Sequence, residues 1–327
     1  EIAGRQGEVE AVRGAQAQEA QTLKDDSHVA SIAVADTTAS ISASLDSLQD
    51  NAKLSTISLL DKGKPLALNV SQLTSDAGAL TKIQGNYSMA VSGVAAADAL
   101  TLAQNSKVSA LSVSDTGEGI VASLSDLARL GSKLGSIRDT DSTPLLNMNA
   151  SQWSAFGGVL GKLEGGYRVN LSSVSATQAS TMAADEHVQS MAISDSTAAI
   201  ASQLSHLQAL GPQITAITQT DADASLSITL AQRVATAGVL SKLNEGYTLA
   251  LREVSAEQAQ SLADDEHVKS VAISDTSANI AAQLDTLNDN EKIVSLTQTG
   301  AAAPLAITAA QMTRNTSALE KISGNYS

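Results

Sequence analysis

One eight-residue pattern governs what this chain can fold into. Val29-Ala-Ser-Ile32-Ala-Val34-Ala-Asp36 returns as Val108 to Asp115, Val188 to Asp195 and Val268 to Asp275, at spacings of 79, 80 and 80 residues. A long-period repeat of this kind marks an architecture in which each unit buries its apolar face only against its neighbours. The units run over 27–106, 107–186, 187–266 and a truncated 267–327, after a lead segment 1–26 that aligns as a degraded turn or cap.

Within the pattern, Ile32 and Val34, Leu111 and Val113, Met191 and Ile193, and Val271 and Ile273 alternate with Ser or Ala, the period of a half-buried strand. Asp-Thr or Asp-Ser follows, and then apolar residues recur at helical spacing: Ile41, Leu45, Leu48 and their counterparts up to Ile280, Leu284, Leu287. An Asp or Thr oxygen at a helix start accepts from the unpartnered first-turn N–H groups, so a capping role is expected for both. A second strand carries Ile57, Ile137, Ile217 and Leu296 and leads into a short extended piece at Leu66 and Leu68. A second helix is expected to stop at Gly85, Gly165, Gly246 or Gly324, and a third strand to open at Tyr87, Tyr167, Tyr247 or Tyr326. The third helix starts with the capping-box spacing at Ser175–Gln178 and Ser255–Gln258.

Each unit thus reads as three strand-helix turns, too short for separate cores. The expected fold class is α/β: a right-handed α/β solenoid with one parallel sheet of about eleven strands and the helices on its other face. In the lead segment, Glu10 falls where later copies have Val169 and Leu249, which marks a frayed end, a polar cap or a cloning remnant. The absence of an initial Met and the stop at Asn325-Tyr326-Ser327 suggest a piece of a longer array.

Composition narrows the function classes. One Phe, one Trp and four Tyr leave a thin aliphatic core, and a net charge of -14 repels phosphate backbones and anionic headgroups, so no nucleic-acid partner is expected. No apolar run is long enough for membrane insertion. Without cysteine there is no disulfide, thiolate catalysis or thiolate zinc site, which leaves the compartment open.

His28, His187 and His267 share one position, and copies three strands apart stand roughly 14 Å from one another, too far to share an ion. Asp36, Asp61, Asp115, Asp141, Asp195, Asp221 and Asp275 line one edge; capping accounts for them, and Ca²⁺ held between adjacent turns, as by Asp195 with Asp221, is the sharper alternative. No nucleophile elbow, phosphate loop or His-Glu-x-x-His run is present, and neither an enzyme nor a cofactor is expected. The open sheet face reads Ser, Ala and Thr, interrupted by Arg138, Arg168, Asn170 and Arg252. Trp153 and Phe156 form the one aromatic spot, as a gap filler or a partner contact.

Over the phrases Ser274 to Leu287, Gly246-Tyr247-Thr-Leu and Ala263 to Ile273, the chain resembles repeats of very large bacterial secreted or surface proteins, adhesin-like or of the RTX type. The strand-helix plan is also similar to leucine-rich repeats, without their asparagine-centred pattern. The resemblance implies extracellular or cell-surface display. The expected function is a non-enzymatic spacer or protein-interaction module, by self-association or with another protein. The alternative is a domain that binds glycan, protein or Ca²⁺ through the sheet face or the Asp edge.

Overall fold

A computed structural model describes residues 9–221, 223–300 and 304–323. Gly324 and Tyr326, and the part of the lead segment before Val9, lie outside them. The chain divides into two compact bodies, 1–147 with 151–168, and 148–150 with 169–327.

The first body holds two parallel sheets. β1 (Glu10–Ala15), β2 (Val29–Asp36) and β3 (Leu54–Leu59) form one; β4 (Leu66–Asn69), β5 (Met89–Val94), β6 (Val108–Asp115) and β7 (Leu134–Asp139) form the other, in chain order. β8 (Leu145–Asn149), β9 (Arg168–Val174), β10 (Val188–Asp195) and β11 (Ile214–Gln219) form a third sheet in chain order. The last sheet runs β12 (Leu226–Thr229), β13 (Leu249–Val254), β14 (Val268–Asp275), β15 (Ile293–Gln298) and β16 (Ile322–Ser323). Alternation holds in every copy of the repeat strand: Val29, Ile32 and Val34, with their equivalents, are buried, while Ser31, Ala33 and Ala35 stay half-exposed.

The single sheet of about eleven strands is therefore corrected to four separate sheets of three, four, four and five strands. The break falls at one place in the repeat. After β3 the chain passes through Leu60-Asp-Lys-Gly63-Lys-Pro65, where Gly63 has φ +96° and Pro65 offers no N–H to a ladder. The short extended piece beyond it is β4, which pairs with β5, while β3 receives on its far edge only the bridge Ile57 to Ile83. The same bridge recurs at Ile137–Leu163 and Ile217–Leu243. Pairing thus passes from β3 to β4, two strand segments of one turn.

Two smaller expectations also change. The second helix ends at Thr81, before the bridge, and left-handed Gly85, Gly165 and Gly246 redirect the chain after it. The third strands open at Met89, Arg168 and Leu249 rather than at the tyrosines. The lead segment takes the same strand-helix form as the repeats: Glu10 stands beside Val29 as Met89 stands beside Val108, and Ala17 and Ala20 of the following helix, Ala17–Leu23, are buried.

The first helix of each unit is broken once, as in Thr38–Ala43 and Leu45–Gln49, except in the third unit, where Thr197–Leu210 is continuous. Ile41, Leu45 and Leu48 and their equivalents are almost fully buried, as are Ile32, Ile57, Leu66 and Leu68. Each such aliphatic side chain contributes about 1.5–3 kcal/mol on removal from water.

Candidate functional site

The aspartates that end the repeat strands are the most regular polar feature of the molecule, and their geometry is the same in every copy. Asp36 Oδ1 accepts from Thr37 N–H at 2.7 Å, and its Oδ2 accepts from Ala17 N–H, 19 residues earlier, at 3.0 Å. Asp115 does this with Thr116 and Ala96, Asp195 with Ser196 and Ala176, and Asp275 with Thr276 and Ala256, all at 2.8–2.9 Å. The second aspartate of each of the first three units reaches back in the same way. Asp61 accepts from Thr38 N–H at 2.6 Å, Asp141 from Gly117 N–H at 3.0 Å, and Asp221 from Thr197 N–H at 2.7 Å. The helix starts are capped locally by Thr37, Thr116, Ser196 and Thr276. The carboxylates therefore tie each turn to the one before it, which adjacent spacing in the sequence did not reveal.

Charge-assisted bonds of this kind favour the ionised form. Burial pulls Asp36 and Asp275 upward, but the N–H donors outweigh it and hold both below the usual carboxylate range. At Asp61 the Thr38 N–H, and at Asp221 the Thr197 hydroxyl and N–H, have the same lowering effect. Among the described residues no group of three or more His, Asp or Glu side chains is arranged to hold a metal ion.

At the other end of the turns, carbonyl groups are met by lysine. Lys53 Nζ donates to Asp26 O at 2.5 Å, Lys133 Nζ to Ala103 O at 2.7 Å and Lys292 Nζ to Asp265 O at 2.6 Å, with Gln213 in the remaining copy. Lys82 and Lys242 act likewise on Leu54 O and Ile214 O. Asn51 and Asn290 are buried; each donates to a carbonyl of the preceding turn, Ala20 O or Ala259 O, and accepts from the N–H two residues on. Leu130 and Leu210 occupy that position in the middle units. Sequence reasoning passed over these residues; the lysines recur in the repeat frame and were readable, whereas the asparagines occupy only the first and last units. Asn69 and Gln72 form a capping box, repeated by Thr229 with Gln232 and Thr308 with Gln311.

Several strand hydroxyls donate to the backbone of the neighbouring strand. Ser55 donates to Ile32 O, Ser92 to Leu68 O, Ser109 to Met89 O and Thr215 to Met191 O. Of the candidate contact residues, Arg138 on β7 and Arg168 at the start of β9 are exposed in the first body, with Trp153 on helix Ala150–Ala155 and Phe156 after it half-exposed. Arg252, in the second body, donates to Ser227 O and lines an open hollow of about 520 Å³ with Asp221 and Gln232. A hollow of about 780 Å³ in the first body is lined by Asp61, Lys62, Lys64, Asn86 and Tyr87.

The histidine position is a turn position. The backbone N–H groups of His28, His187 and His267 donate to Asp26, Asp185 and Asp265, two residues back. His267 stacks on Tyr247 with ring centroids 4.2 Å apart, and Lys107 takes the corresponding place over Tyr87 at 4.1 Å. His206 is exposed on its helix.

No protein-family model, curated protein or solved structure matches the chain.

Proposed function

We propose that the chain is a non-enzymatic structural module, a spacer or protein-interaction segment of a large bacterial surface or secreted protein, whose turns stack as a right-handed solenoid. The observation that carries this reading is the use made of the repeated polar residues. Asp, Asn and Lys positions that a catalytic or ligand-binding array would present outward are engaged, copy after copy, in bonds from one turn to the next. Such bonds give each turn a defined seat on its neighbour, which is what an extended spacer requires. Extracellular display rests on the sequence resemblance, and self-association on the small, flat Ser/Ala/Thr face of the strands.

Small-angle scattering tests the shape. A globule of this length has a radius of gyration of about 20 Å, and a stacked module gives a clearly larger value and an elongated distance distribution. A compact profile would remove the solenoid. Screening the chain against glycan arrays tests the function: saturable binding that Arg252→Ala abolishes would favour the ligand-binding alternative over the spacer.

A further inference from the structure

Position 76 is a repeated buried site that carries, in the first unit, a group mismatched to its neighbour. It lies between helices Val70–Ser75 and Ala77–Thr81, and its equivalents are Phe156, Thr236 and Asn315. Asp76, Thr236 and Asn315 are at most 2% exposed. In the last unit, Asn315 Nδ2 donates to a carboxylate oxygen of Asp285 on helix Leu284–Asn288, 30 residues earlier. In the third, Thr236 donates its hydroxyl to Gln232 O at 2.8 Å. In the first, the residue facing position 76 is Asp46, the equivalent of Asp285, and Asp76 has no N–H to offer it. Asp76 Oδ1 accepts from the Ser75 hydroxyl at 3.0 Å, and Oδ2 is buried without a partner.

We propose that Asp46 and Asp76 share one proton in the folded chain, which makes the packing of helix Leu45–Gln49 against Val70–Thr81 a pH-sensitive clasp. A proton on one carboxyl supplies the donor that Asn315 supplies in the last unit; without it the buried Asp76 carboxylate, whose Oδ2 has no partner, meets the carboxylate of exposed Asp46, which accepts from Gln72 Nε2 at 3.3 Å. The surrounding charges do not relieve the pair. The helices on either side of Asp76 contribute no ionisable side chain, nor do β4 and β5. Lys82 directs its ammonium to Leu54 O, and Glu19, on the helix packed against Leu45–Gln49 from the previous turn, is bonded to Gln16 N–H. Asp50 adds a further negative charge. Burial first, and then the hydrogen bond and charge of Asp46, push the Asp76 carboxyl upward.

The sign follows from linkage. A carboxyl raised in the folded state binds its proton more tightly there than in the unfolded chain, so it stabilises the fold less as pH rises through the raised value. This is opposite to the edge aspartates.

The test is thermal melting of the full chain against pH, with site-resolved carboxyl titration by NMR. Asp76→Asn, which copies the last unit, is expected to raise the melting midpoint by a few degrees at pH 7.5 and to leave it nearly unchanged at pH 4. Asn315→Asp is expected to do the reverse, lowering the midpoint at pH 7.5 more than at pH 4. The Asp76 carboxyl carbon of the unmodified chain is expected to titrate above the ordinary aspartate range. Titration at or below that range would overturn the proposal, as would an Asp76→Asn midpoint that is lower at neutral pH. A midpoint that rises with Ca²⁺ in the unmodified chain and not in Asp76→Asn would assign the site to a cation instead and would equally overturn the shared proton.

Discussion

At the scale of single residues, the repeat provides its own controls, because four copies of one backbone position carry different side chains. The bulge in the third strand is left-handed in all of them: Gly14 at φ +75°, Gly93 at +72°, Ser173 at +54° and Glu253 at +56°. The left-handed region costs a residue with a Cβ roughly 1–2 kcal/mol, and glycine returns roughly 0.5–1 kcal/mol of that as extra freedom in the unfolded chain. Ser173→Gly and Glu253→Gly are therefore each expected to stabilise by about 0.5–1 kcal/mol, and Gly93→Ala to destabilise although its Cβ would meet nothing within 4 Å. Urea denaturation of the three variants checks this; a loss on Ser173→Gly would show that the serine makes a contact worth more than the strain. Sequence alone left this site silent, since Gly, Gly, Ser and Glu share no chemistry, only a dihedral angle.

At the scale of elements, the helices are held at both ends by the turns beside them. Leu204, which is 1% exposed in the middle of helix Thr197–Leu210, is expected to cost about 2–5 kcal/mol on replacement by Ala, whereas exposed Ser205→Ala should change little. The helical phase of the apolar positions predicts Gln203 to be exposed as well, but it is half-buried. Equal losses for Leu204→Ala and Ser205→Ala in a denaturation series would mean that the buried face is wrongly assigned. The helix starts also set the acid limit of the fold. Asp36, Asp61, Asp221 and Asp275 are held below their usual range when folded, so their stabilisation is present above about pH 4, the unfolded value, and is lost as pH falls through the lowered ones. Melting midpoints should drop steeply below about pH 4; a flat profile there would contradict the inter-turn role of the Asp edge. Because the same oxygens already accept N–H bonds, millimolar Ca²⁺ and chelator should give nearly equal midpoints, and a calcium-dependent rise of about ten degrees would make the edge a metal site.

At the scale of the whole molecule, equal spacing makes the units interchangeable in register. Deleting residues 107–186 joins Ser106 to His187 and should let β10 pair with β5 as β6 does, with Val188 taking the place of Val108 beside Met89. The shortened chain is expected to melt cooperatively, with a denaturant slope reduced in proportion to the surface it no longer buries. An unfolded product would show that the units are not equivalent neighbours.

The recurrence of Val-x-x-Ile-x-Val-x-Asp determined the repeat, its strand-helix alternation and the buried aliphatic columns, because these depend on local periodicity and on which side chains avoid water. It also placed the aspartates at the helix starts. Which turn each carboxylate caps, the passage of pairing from β3 to β4, and the meeting of Asp46 with Asp76 were decided only by tertiary structure. The partners there are 19 to 31 residues apart, and no local pattern encodes which carbonyl, N–H or carboxylate the neighbouring turn will bring within hydrogen-bond reach.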